Sequence, residues 1–162
     1  MEELYLFAQD LLAERIPALG TIDEDYGQVE AMLNGSSDTY PITFPAALIG
    51  NMSIDWNDVG GGIQTGRCLF TVRLFCECLE DTHRGSGTES SMRNRLALNN
   101  EVYLALQGKA LQNSTDYFAR VKQADYFLPG AIKVYETVFG FDIHDDAAFK
   151  DYARQREPDR GR

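Results

Sequence analysis

The chain has 162 residues, 44% of them hydrophobic and 25% charged, with a formal net charge of −10. That suffices for one domain with a sizeable core, while the longest apolar runs are a few residues, far short of the roughly 20 that cross a bilayer. The acidic balance repels nucleic acid at long range and argues against a sequence-reading DNA binder; the acidic opening MEELYLFAQDLL lacks the basic start of a secretory leader, so a cytoplasmically made chain is expected.

Residues 2–16 read as an amphipathic helix, with Leu4, Phe7, Ala8, Leu11 and Leu12 on one face and Glu3, Asp10 and Glu14 opposite. Pro17 and Gly20 end it. The first 30 residues hold eight acids, including Asp23, Glu24 and Asp25, against the single base Arg15. Between Thr21 and Thr43, Gln28–Leu33 reads as a short strand, and NGSSDTYP is turn chemistry. Ala46–Asn51 is expected as a short buried strand, and Asp55–Gly62, with Trp56 and three consecutive glycines, as a loop or bulge.

The run IQTGRCLFTVRLFCECL from Ile63 to Leu79 then reads as one long strand. Cys68, Phe70, Val72, Leu74, Cys76 and Cys78 recur every second residue, which puts all six on one face of a pleated sheet. The other face carries Arg67, Leu69, Thr71, Arg73, Phe75, Glu77 and Leu79, a mixture that suits water or another subunit. Three cysteines on one strand face are poorly placed to bridge one another, so they read as buried, reduced, small hydrophobes.

Glu80–Glu89, with His83, Arg84 and two glycines, reads as an exposed polar loop. A helix follows, capped by Ser90 or Ser91, running to about Gln107 and closed by Gly108. Tyr117–Phe127 and Ala131–Ile143 are two strands joined at LPGA, where Pro129 and Gly130 fit a type II turn. Both faces of the second strand carry apolar groups, as an interior strand would. The expected fold is α+β: one mostly antiparallel sheet of four to five strands, with two main helices packed on one face. It spans residues 1–146 as a single domain, with 147–162 a charged, partly disordered tail.

No catalytic set accompanies this pattern. The only two histidines, His83 and His144, have no G-x-S-x-G partner, and GGGI at 60–63 lacks the Lys and Ser/Thr of a phosphate loop and precedes a strand. Asp142, His144, Asp145 and Asp146 form the one cluster with metal-ligand character, and a small metal-dependent enzyme using it is the rival from a different class. Local acidic clusters at strand ends are commonly solvated turns, where aspartates are favoured as capping groups, so no metal, cofactor or catalytic residue is assigned. An acidic DNA mimic is a further alternative, weakened by the crowding of acids near the start. Trp56, the only tryptophan, is either a lid over the core edge or an interface anchor.

In order, the N-terminal helix, DYGQVE, YPITFPAALIG, WNDVGGGIQTGRCLFTVRLF, a helix and RVKQADYFLPGAIKVYETVFGFDI resemble the tail terminator (tail completion) proteins of long-tailed bacteriophages and prophages, the lambda tail terminator class. The resemblance covers about residues 1–145. It implies a small α+β subunit of a homo-oligomeric, typically hexameric ring that caps the tail tube, ends its polymerisation and presents the surface that docks the head. The implied partners are copies of itself, the tail tube protein and the head-tail connector protein, and the implied location is the phage virion. A head-tail connector or neck protein would use the same ring logic. Under this reading Trp56, Arg67, Arg73, Phe75, Glu77, His83 and Arg84 are candidate contact residues. Asp23, Glu24, Asp25, Asp145 and Asp146 are candidate acids of a lumen that passes DNA without adhesion.

Overall fold

The computed structural model describes residues 2–35 and 41–149. The expectations for the middle of the NGSSDTYP loop and for the tail from 150 onward lie outside the described residues.

The elements run α1 (Glu2–Arg15), β1 (Thr21–Glu24), α2 (Gln28–Leu33), β2 (Ala46–Gly60), β3 (Ile63–Glu77), α3 (Glu89–Leu106), β4 (Ala119–Leu128) and β5 (Ile132–Asp145). The five strands form one sheet in the order β1-β2-β3-β5-β4. Only the β1–β2 pair is parallel; the other three pairs are antiparallel. The fold is therefore α+β, with α1 and α3 on one face of a mostly antiparallel sheet.

That face is sealed by the period-two set of β3. Cys68, Phe70, Val72, Leu74 and Cys76 pack with Leu4, Ala8 and Leu12 of α1, Val102, Ala105 and Leu106 of α3, and Tyr135, Phe139 and Phe141 of β5. The i, i+4 spacing of Leu4, Ala8 and Leu12 puts all three on one stripe of α1. At the centre, Phe70 meets the edge of Phe118 at 5.1 Å and stacks on Phe139 at 5.5 Å. β5 is interior, as its two apolar faces require.

Four sequence expectations change. Gln28–Leu33 is a helix, not a strand: Gly27 enters it in the left-handed region and Gln28 and Val29 are buried beneath it. Ala46–Asn51 is only the start of a 15-residue strand, and Asp55–Gly60 continues it rather than forming a loop. A bulge between Gly50 and Ser53, with Asn51 at φ 48, re-aims the chain and hides the alternation that would have marked the strand. The turn itself is confined to Gly60–Gly62, all at positive φ, where only glycine is unstrained. Finally, α3 begins at Glu89 after Thr88, ahead of the expected serine cap.

Candidate assembly interface

The sheet's second face divides into a covered end and an open end. At the covered end, Val29 of α2 packs with Ala46, Leu48, Phe75, Ile132 and Val134, flanked by Leu33, Ile42, Phe44, Tyr126 and Leu128. Phe75 is fully buried there. Beside it, the Arg73 guanidinium donates to Asp25 Oδ1 at 2.6 Å and to Glu30 Oε1 at 2.5 Å, and it lies 4.9 Å from the Phe75 ring centroid. Burial by itself would lower the pKa of Arg73. Hydrogen bonds to Asp25, Glu30 and Tyr126 outweigh it and hold the pKa above the usual arginine value.

This corrects three sequence expectations. Arg73 and Phe75 are under an intramolecular cover, so neither is a contact residue, and Asp25, whose side chain is 7% exposed, is Arg73's counter-ion rather than a lumen acid. The physical reason is α2. Read as a strand, Gln28–Leu33 gives no lid; as a helix it presents Val29 to the sheet and Glu30 to Arg73.

The remaining contact candidates are divided between the two ends of β3. Arg67 is half-exposed and donates to Asp142 Oδ1 at 2.9 Å, directly across the β3–β5 ladder, with Asp116 4.0 Å away. Gly140 lies under Arg67, Leu69 and Val121: a Cβ there would sit 2.9 Å from Arg67 Nη2. Trp56 lies across Gly66 on the other face, where a Cβ would come within 2.9 Å of the indole and 2.7 Å of Ile54. The ring is thus seated on the sheet yet 41% exposed. Glu77, His83 and Arg84 are exposed at the opposite end of β3 and in the following loop. There His83 Nδ1 lies 2.7 Å from Asp81, a contact that holds the Asp81 carboxyl below its usual range.

The acids separate likewise. Asp23 and Glu24 are exposed on β1, and Asp145 and Asp146 at the far end of β5. The 142–146 cluster does not converge: Asp142 faces Arg67, while Asp145 Oδ1 accepts from the Ala147 N–H, a capping contact. Among the described residues no group of three or more His, Cys, Asp or Glu side chains is placed to hold a metal ion. Cys68 and Cys76 are buried, and burial pushes both thiols up to about 11, so they are poor nucleophiles at neutral pH.

Sequence reasoning missed several exposed apolar residues beyond Trp56, among them Val59 at 62% on β2 and Val121 at 49% and Phe127 at 63% on β4. For Val59 the available signal was the alternation Ile54, Trp56, Asp58 running into a glycine turn, which is hairpin chemistry. No helix among the described residues is long and apolar enough to cross a membrane.

Neither a protein-family model nor a curated protein matches the chain. Among solved structures, it overlaps a chain of a structure described as "Virion of native gene transfer agent (GTA) particle" with a TM-score of 0.43 and 12% identity, over 83% of this chain and 98% of that one. An overlap so loose assigns no role.

Proposed function

We propose that the chain is a structural subunit of a phage or prophage tail that forms a ring on the tail tube, ends its growth and offers the surface on which the head docks. The observation that carries this reading is the asymmetry of the sheet. α1 and α3 cover the core of one face and α2 covers only one end of the other, while β2 runs out past both covers: Met52 and Ile54 pack on the edge of the main core, and Ser53 and residues 55–60 are exposed. A subunit of a closed ring needs two different complementary surfaces, and an open sheet end with exposed aromatic and charged groups supplies candidates for them. The resemblance of PAALIG, the glycine turn and the alternating strand to tail terminators supports the same assignment, with Trp56, Arg67, Glu77, His83 and Arg84 toward neighbouring subunits, tube protein or connector. Asp23, Glu24, Asp145 and Asp146 remain proposed lumen acids.

The decisive experiment adds the purified chain to polymerising tail tube protein. Tubes of restricted length, each bearing the chain at one end by electron microscopy, are expected; tubes that grow unaltered, with none of the chain bound, sink the proposal. A head-tail connector would instead bind the portal side and leave tube length unchanged.

A further inference from the structure

We propose that copies of the chain join edge to edge, the outer edge of β2 from Ser53 to Val59 pairing antiparallel with the outer edge of β4 from Val121 to Phe127 of the next copy. The inference rests on the reading of the chain as a self-assembling subunit and specifies how that assembly is made.

The sheet has two sides on which strands end, and hydrogen bonding distinguishes the blunted parts from the open ones. β1 is blunted at Glu24, whose N–H donates to Asp23 Oδ1 at 2.8 Å and whose carbonyl accepts from Gln28 Nε2 at 2.6 Å. β1 reaches only as far as Ile49 of β2. Beyond the bulge, β2 continues with β3 on one side, and among the described residues nothing bonds the backbone of Ser53–Val59 on the other. On the far side of the sheet, β4 is capped at its start, where the Arg120 N–H donates to Gln107 Oε1 at 2.9 Å. From Val121 onward its outer backbone groups have no partner among the described residues. Rows of unpaired N–H and C=O groups are templates for another strand.

Charge selects which edges meet. The β2 edge carries Asp55 and Asp58, with no basic side chain in ion-pair range among the described residues, beside the exposed Trp56 and Val59. The β4 edge carries Arg120 and Lys122 beside Val121 and Phe127, and its one acid, Asp125, is neutralised by Lys133. Pairing β2 with β2 sets acids against acids, and pairing β4 with β4 gathers the bases; only the unlike pairing brings opposite charges together. Direction agrees. β2, β3, β5 and β4 alternate in sense, so β2 and β4 run oppositely, and copies related by rotation about a common axis present them antiparallel.

The contact is staggered. Straight across the sheet, Ala124 lies level with Glu136 and Arg73, whereas Trp56 lies level with Gly66. Seven residues of β3 separate those levels, roughly 23 Å at strand rise. Strands therefore incline to the ring plane, as they do wherever a sheet closes on itself.

The test uses two variants of the full chain, one with Asp55→Lys and Asp58→Lys, the other with Lys122→Glu and Gln123→Glu. Each alone is expected to raise the concentration needed for assembly by about tenfold at low salt, read by sedimentation velocity. An equimolar mixture is expected to recover wild-type assembly, because each variant supplies the charge the other lacks. Wild-type-like assembly of either variant, or a mixture that stays dissociated, overturns edge pairing while leaving the ring intact. An unmodified chain that never self-associates, even with tube ends present, overturns the functional reading as well. Independently of any substitution, amide exchange on the unmodified chain should slow in the 53–59 and 121–127 peptides on assembly, and unchanged exchange there rules the edges out.

Discussion

Arg73 illustrates how one residue's role depends on what folds over it. Its side chain is 11% exposed, and its main partner Asp25 is 7% exposed, so removing the guanidinium strands a desolvated carboxylate. Glu30, 37% exposed, is screened by water and contributes less. Arg73→Met is therefore expected to cost about 3 kcal/mol in urea unfolding, and adding Asp25→Asn should return part of that loss. A cost under about 0.5 kcal/mol would mean that the pair is solvated and α2 is not tethered. The same side chain, read from β3 alone, looks like a surface cation.

At the scale of elements, the β2–β3 hairpin depends on small residues where backbones or rings come close. Gly66 lies beneath Ile54 and Trp56, and a methyl group there has no room on that face of the strand. Gly66→Ala should lift the indole from the sheet, shift the emission of the only tryptophan toward that of a solvated ring, and cost about 1–3 kcal/mol. Unchanged emission would show that Trp56 does not rest on Gly66. α2 is the second decisive element. Six residues long, it has no stability of its own, and it holds its place through Val29 in the apolar cluster and Glu30 on Arg73.

For the whole molecule, Cys68 and Cys76 both face the main core, and burial raises both thiols from 9.0 to about 11. The sign follows from linkage: between those values the unfolded chain loses protons that the folded chain keeps, so unfolding is favoured as pH rises. The stabilisation is full below about pH 9 and is lost as pH climbs through 11. A urea midpoint that falls over this window in the wild type, and falls less in a Cys68→Ala, Cys76→Ala variant, is the expected result. An equal fall in both chains would assign the alkaline loss to other groups.

Within the described residues, what the sequence determined by itself is the α+β class, the two core helices, the long β3 strand with its sealed face, and the β4–β5 hairpin. Each rests on a local periodicity or turn that a side chain carries wherever the chain goes: four-residue spacing in α1, two-residue spacing in β3, Pro-Gly at the hairpin. Only the tertiary structure decided the length of β2, because a bulge at Asn51 interrupts its period, and only it decided the state of Gln28–Leu33, because a six-residue segment takes its form from what it packs on. The burial of Arg73, Phe75 and Asp25 and the edge left open at Ser53–Val59 follow from those two outcomes, and the edge at Val121–Phe127 follows from the strand order, which puts β4 outermost. They depend on residues tens of positions apart meeting across a sheet, which no local pattern encodes.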